Sequence, residues 1–383
     1  MRVLFHSPGT NPTGYGQQTA LFVPLIASLG HEVAISAFHA VRGAATEWNG
    51  HRVYPAGHDP YGSDVLREHA RHFGADLVIT LMDVWALKPD AVAGLPVAHW
   101  MPVDCDDGGG LQGRGLSLRD HVHLRAGGGV PVAMSRFGEA QLRKSGHDPL
   151  YVPHGIDTNV WKPPEDRKAL REAMGTADCF VVGINAANID KTRKAWPEQL
   201  AAFARLHRRH SDTRLFAHTF RKTEPGLNLA GIARDLGIAD AIMWPDEYML
   251  KSGLITPEML AATCGTWDLY SGCAMAEGFG LPVLEAEACG VPSVVTDGSA
   301  MAEVGAGWKV PGEPAWSELH AAWWRKPSVD AIAKVYEKAY QGGPSYEAKK
   351  AKAREHALAY DVQRVLKDHW EPALKTLEER LCG

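Results

Sequence analysis

Short apolar segments, each followed by a loop and a stretch with helical spacing, recur from one end of this chain to the other. That alternation leaves few architectures other than parallel sheets covered by helices. Residues 3–7 read as a first strand, residues 8–16 as a loop, residues 17–29 as a helix with apolar Ala20, Leu21, Leu25 and Leu29, and residues 33–38 as the next strand. Gly30 closes the helix, and Pro24 inside it predicts a kink or a late start. Further strands are predicted at 77–80, 97–103, 131–135 and 150–152. A second series starts at 179–184, runs through a helix at 196–209 and continues with strands at 214–218, 241–244, 267–269 and 292–296. The Pro-rich run Asp157-Thr-Asn-Val-Trp-Lys-Pro-Pro164 divides the two series. With 383 residues, the chain fits two domains of roughly 180 residues each. The expected fold is therefore α/β, with two doubly wound Rossmann-like domains and ligands at the carboxyl ends of their strands.

Composition narrows the function. A net charge of −5 provides no global field toward nucleic acid or acidic lipid, although local basic patches stay open. The 6 cysteines include no C-x-x-C pair and read as reduced packing residues, not as a zinc site or disulfide framework. The chain begins directly with a strand and has no apolar run of membrane-spanning length, so the expected location is the cytoplasm.

The most specific segment is Glu277-Gly-Phe-Gly-Leu-Pro-Val-Leu-Glu285, followed by Ala286-Glu-Ala-Cys-Gly-Val-Pro-Ser-Val-Val-Thr-Asp297. Here a glycine loop opens a helix, Pro282 suits the first helical position, and backbone N–H groups face outward at the positive helix end. Glu277 falls in the loop and Glu285 about one turn into the helix, so the two carboxylates can accept from different parts of one extended, hydroxyl-rich ligand. In this segment the chain resembles the family-4 retaining glycosyltransferases, reproducing their E-x7-E motif with its EGFG and P-x-x-E-A elements. The resemblance runs from the N-terminal glycine loop to the closing helix. Pro12-Thr-Gly-Tyr-Gly-Gln-Gln and Thr296-Asp-Gly-Ser-Ala-Met-Ala-Glu303 are also similar to glycosyltransferases encoded by bacteriophages and some bacteria.

The resemblance implies a GT-B arrangement: an acceptor-side domain at 1–157, a nucleotide-sugar domain at 158–360 facing it across a cleft, and a helix at 361–383 returning to the first domain. It assigns Glu285 to the ribose hydroxyls, Glu277 and the amides of Phe279 and Gly280 to the sugar hydroxyls, with Leu281 next to them. Arg193, Lys194 and the glycine loop (Gly14, Gly16) fall to the diphosphate. Arg and Lys are also what the chemistry asks for, because a departing diphosphate needs positive charge. Asn188 or Lys191 competes with Arg193 for the arginine's place in the motif, and Gly14-Tyr-Gly16 replaces a more usual double glycine.

His154, in Val152-Pro-His-Gly-Ile-Asp157, stands where the family has Asn, as a structural turn or a donor contact. Where the family puts a His or acidic residue near the reacting carbon, this chain has Asp104, with His99 inside the preceding strand as a donor, acceptor or core residue. Asp104-Cys-Asp106-Asp107 matches the D-x-D pattern of metal-dependent enzymes of another fold, and no catalytic metal or cofactor is expected. Arg114, Arg119 and Arg125 are candidates for acceptor phosphates, and Arg205, Arg208, Arg209 and Arg214 read as a solvated face.

The resulting expectation is a retaining, metal-independent transfer of a hexose from a nucleoside diphosphate sugar, UDP favoured over GDP, to a hydroxyl. The acceptor is left open among a hydroxymethylated DNA base, a protein, a glycoside and a lipid. The rivals are a sugar-nucleotide epimerase or hydrolase and a non-catalytic sugar-nucleotide sensor.

Overall fold

The computed structural model describes residues 1–105, 115–318 and 320–381, so Asp106, Asp107, Arg114 and Cys382 lie outside the described residues. The chain separates into two compact units. One comprises Met1–Gly155, Trp316–Trp323 and Asp361–Gly383, and the other Ile156–Ala315 and Trp324–Tyr360.

The first unit holds an eight-stranded sheet of β1 (Arg2–Ser7), β2 (Glu32–Ala37), β3 (Thr46–Trp48), β4 (His51–Tyr54), β5 (Leu77–Leu81), β6 (Val97–Met101), β7 (Val130–Ala133) and β8 (Leu150–Tyr151). Their order is β3-β4-β2-β1-β5-β6-β7-β8, parallel except for β3, which pairs antiparallel with β4 at the edge. The order reverses direction at β1 and β5, and the loops after these strands flank the crevice where such sheets take ligands. The β3–β4 pair was not expected. It is short and mostly exposed, so it leaves no apolar run for a sequence reading to detect. Pro24 neither delays nor ends its helix. The helix Gly14–Ser28 begins earlier than expected because Thr13 caps it, its side chain accepting from the Gly16 amide at 3.1 Å.

The second unit holds β9 (Phe180–Asn185), β10 (Thr213–His218), β11 (Ile242–Met243), β12 (Leu269–Gly272), β13 (Ser293–Thr296) and β14 (Trp308–Val310). All pairings are parallel, in the order β11-β10-β9-β12-β13-β14, with the switch point between β9 and β12. Val182, Ile184, Phe203, Leu215 and Ile332, all fully buried, form its core with helices Trp196–His207 and Val329–Gln341. A two-stranded ribbon, β15 (Gly312–Ser317) and β16 (Ala322–Pro327), follows. None of the five described cysteines forms a disulfide. No described helix is long and apolar enough to cross a membrane.

Candidate functional site

In the second unit the site grows from the two strands at the switch point. β9 ends at Asn185, and the loop after it carries Arg193 and Lys194 just before the helix Trp196–His207. Asp190 shapes that loop, its carboxylate accepting from the amides of Thr192 (2.9 Å) and Arg193 (2.6 Å). The Arg193 carbonyl accepts from the Met275 amide at 2.7 Å, which ties the loop to the segment after β12.

That second segment presents Glu277. Its amide donates to Ser299 Oγ at 3.1 Å, and Ser299 itself sits at φ +53°. Glu277 Oε1 holds Lys194 Nζ and Glu277 Oε2 holds Arg193 Nη1 at 3.2 Å, with the three side chains only 14–21% exposed. Burial works against the charge on Glu277, but the two cations outweigh it and hold its carboxyl below the usual range. Burial and Arg193 lower the Lys194 ammonium, against the pull of Glu277.

Gly280, at φ +103°, makes the left-handed turn that lets the helix Leu281–Ala288 start with Pro282 in its first turn. Glu285 lies one turn inside that helix and is 4% exposed. Its carboxylate has no hydrogen-bond or ion-pair partner among the described residues, and burial pushes it up to about 8. The Tyr270 ring stands near both glutamates, its hydroxyl donating to the Asn185 carbonyl at 3.3 Å. Phe279 is buried, with its ring edge against Tyr360. The cluster joins two cations to a shared carboxylate, beside a second carboxylate with open acceptor capacity at a helix N-terminus. It can take an elongated ligand with an anionic middle and hydroxyls at both ends.

Asn188, which was expected there, and Glu287, which was not, both serve the fold. Asn188 donates from Nδ2 to the Phe220 (3.2 Å) and Leu227 (2.8 Å) carbonyls and accepts the Leu227 amide at 2.8 Å, so its side chain clamps the 220–227 loop. Glu287, two positions after Glu285, points the other way: its Oε1 accepts from Ser293 Oγ (2.6 Å) and the Ala306 amide (2.8 Å), and burial pushes it to about 8. The sequence reading missed Gln199, Tyr270 and Ser299. Ser299 follows Gly298, yet nothing in the sequence marks the serine itself for a positive φ, and a Gln in a helix is silent.

In the first unit several expected contacts turn out to be internal. His99 is 1% exposed, with Nδ1 bonded to Thr80 Oγ1 at 2.9 Å and Nε2 to the Gly128 carbonyl at 3.1 Å. Both nitrogens are engaged, so His99 is a core histidine and not an acceptor contact; burial takes it down to about 4. Gly16 has its amide capped by Thr13, and a Cβ there would run into the Asn11 carbonyl. The glycine is a requirement of the turn, and its amide is not open to a phosphate. Gly14 is the first residue of the helix.

His154 is buried edge-on against Trp100, centroids 4.6 Å apart, with Tyr15 of the glycine loop 6.1 Å away; burial drives it down to about 3, so it stays neutral. Asp104 follows β6 and lies near buried Asp120, whose carboxyl is pushed up to about 7 by burial despite accepting from Ser117 Oγ at 2.6 Å. Arg119 stacks on Trp85, 3.9 Å from the ring centroid, while Arg125 is exposed at the far end of the same helix, Leu118–Gly127. Six residues apart, the two point to different sides of that helix and do not form one patch. Among the described residues, no group of three or more His, Cys, Asp or Glu could hold a metal ion.

No family model matches the chain. Part of it is 32% identical over 147 residues to a D-inositol 3-phosphate glycosyltransferase of Segniliparus rotundus, covering 37% of this chain and 30% of that protein. Another alignment, 33% identical over 154 residues, is to an MMP α-(1→4)-mannosyltransferase of Mycolicibacterium hassiacum, covering 40% and 32%. The chain thus spans about a third of the curated relatives it matches. Among solved structures it is similar to a sucrose-phosphate synthase from Thermosynechococcus elongatus, at 15% identity and TM-score 0.76 over 99% of both chains. It is also similar to HepE of Anabaena in complex with UDP-glucose, at 15% identity and TM-score 0.70 over 98% of this chain and 100% of that one. The fold is of the GT-B glycosyltransferase type, with two Rossmann-like units.

Proposed function

We propose that this protein is a glycosyltransferase that moves a hexose from a nucleoside diphosphate sugar, a UDP-sugar first, to an acceptor hydroxyl with retention of configuration and without a metal ion. The observation that carries the reading is the cluster at the β9–β12 switch point: Lys194 and Arg193 on a shared Glu277, with Glu285 unpartnered one turn into the next helix. In this reading Lys194 and Arg193 take the diphosphate and neutralise the charge that builds as the glycosidic bond to it breaks. Glu285 accepts from the ribose hydroxyls, and Glu277 accepts from the sugar hydroxyls once the diphosphate shares its two cations. The names of the partial relatives, both sugar transferases, and the UDP-glucose bound by HepE support the class of reaction and donor.

The test is a panel of UDP- and GDP-sugars incubated with candidate acceptors, chelator present, with products followed by mass spectrometry and their anomeric configuration by NMR. A retained glycoside formed in chelator supports the proposal. Turnover of the donor without acceptor supports an epimerase or hydrolase instead, and binding without turnover a sensor. Activity that vanishes in chelator and returns with manganese moves the chemistry toward Asp104 and Asp106.

A further inference from the structure

Directly behind the basic pair lies a line of three buried polar side chains that the donor reading leaves unused. Tyr336, fully buried in the helix Val329–Gln341, donates from its hydroxyl to Ser271 Oγ at 2.7 Å. Ser271, fully buried in β12, donates to Gln199 Oε1 at 2.7 Å, an oxygen that also faces the Cys273 amide at 3.4 Å. Gln199, 1% exposed, donates from Nε2 to the main-chain carbonyl of Lys194 at 2.8 Å. The donors all point one way, so each bond polarises the next toward that carbonyl. Gln199 and Ser271 also line a cavity of about 20 Å³ with Lys194, Glu277 and Tyr270, room for about one water.

The carbonyl that receives the line sits at a strained place. Ala195, the next residue, is 1% exposed and adopts φ +46°, ψ +39°, the left-handed region that a residue with a Cβ avoids. This turn aims Lys194 at Glu277 while the chain enters the helix at Trp196. Such strain persists only where the surroundings over-determine the backbone. Gln199 supplies that constraint from within the same helix: its Nε2 donates to the carbonyl immediately before the strained residue, while its Oε1 is held by Ser271. A purely apolar filling of Gln199, Ser271 and Tyr336 would pack the same volume without holding a carbonyl.

We infer that Gln199, backed by Ser271 and Tyr336, is a positioning residue that fixes the strained Lys194–Ala195 turn and thereby the cation offered to the donor's diphosphate. The inference rests on the donor-site reading above and adds a residue that touches no ligand.

The experiment compares wild type, Gln199→Leu and Tyr336→Phe in calorimetric titrations with UDP and UMP, or GDP and GMP should that be the base the protein takes. Removing the carbonyl's partner is expected to weaken diphosphate binding about tenfold in Gln199→Leu and about two- to threefold in Tyr336→Phe, with monophosphate affinity unchanged. Ala195→Gly in the Gln199→Leu background should restore part of the loss, because glycine takes the left-handed turn without strain. Equal weakening of diphosphate and monophosphate, or wild-type diphosphate affinity in both variants, overturns the inference. If Gln199→Leu does not fold, Tyr336→Phe, which loses one oxygen atom, decides alone on the same criteria. Wild type binding neither UDP nor GDP would instead overturn the donor-site reading, so the two failures are distinguishable.

Discussion

The two sheets present the same kind of edge, carboxyl ends of parallel strands on either side of a switch point, yet they use their polar residues in opposite ways. In the first unit these groups close on one another. His6 bonds Ser36 Oγ and the Tyr61 carbonyl at 2.9 Å each, Ser36 Oγ bonds His69 at 2.9 Å, and Gln18 exchanges two hydrogen bonds with the backbone of Gly155. In the second unit the edge gathers charge: Lys194 and Arg193 on Glu277, Arg193 also within 3.8 Å of Asp190, and Glu285 with no partner among the described residues. Satisfied buried groups shape a backbone, whereas a buried carboxylate without a partner carries a cost that a ligand can relieve. Under the proposed function, the difference puts the donor chemistry in the second unit and leaves His6, His69 and His99 as part of the first unit's framework.

The largest expected effect tests the charged edge. Lys194→Ala and Glu285→Ala should each lower transfer by about 2 to 4 kcal/mol in transition-state free energy, roughly 30- to 1,000-fold, with the circular dichroism of the fold preserved. Near wild-type turnover in both would erase the contrast between the units.

A smaller effect, up to about tenfold per pH unit, should appear in the pH dependence of donor affinity. Glu285 is pushed up to about 8 and accepts best from ribose when ionised, so affinity should climb with pH and level off above about 8. Without donor the sign reverses. A carboxyl raised from 4.5 to about 8 by folding favours the folded state fully below its unfolded value, and that advantage is lost as pH rises through about 8. Thermal unfolding of Glu285→Gln against wild type between pH 5 and about 8.5 checks this: the wild type should lose stability relative to the variant as pH rises, and parallel curves contradict the assignment.

In the first unit, His99→Ala should cost about 1 to 3 kcal/mol of stability, because it leaves the Thr80 hydroxyl and Gly128 carbonyl unsatisfied. Donor affinity should not move, and a selective loss of donor or acceptor KM with unchanged stability would return His99 to the site. The smallest effect concerns nucleic acid. Arg119 engages Trp85 and Arg125 points elsewhere, so alanine at both should change the salt slope of any DNA binding by less than about two phosphates' worth. A steep slope that flattens in the double variant would support a DNA acceptor.

Much of this was legible in the sequence where the physics is local. The β-α alternation, the loop-to-helix turn at Gly280 and the spacing of Glu277 and Glu285 follow from short-range rules, and the strands that were expected appear within a few residues of their predicted places. What escaped depends on distant partners. Nothing around Asn188 shows that its amide meets Leu227, and nothing around His99 shows that Thr80 and Gly128 saturate its ring. The positive φ of Ala195 was equally invisible, because alanine does not advertise it and Gln199, which holds it, lies in the following helix. The ribbon of β15 and β16 contains two prolines and a run of tryptophans, with no alternation clean enough to mark a strand pair.

The central claim, that the β9–β12 switch point binds a nucleoside diphosphate sugar through Lys194 and Glu285, is tested most directly by calorimetric titration of UDP- and GDP-sugars into wild type, Lys194→Ala and Glu285→Ala. The account predicts saturable one-to-one binding of at least one donor to wild type and a loss of at least about tenfold in each variant, in line with a charge-assisted hydrogen bond. Binding of the donor with wild-type affinity by both variants, or of no nucleotide sugar by the wild type, would contradict it.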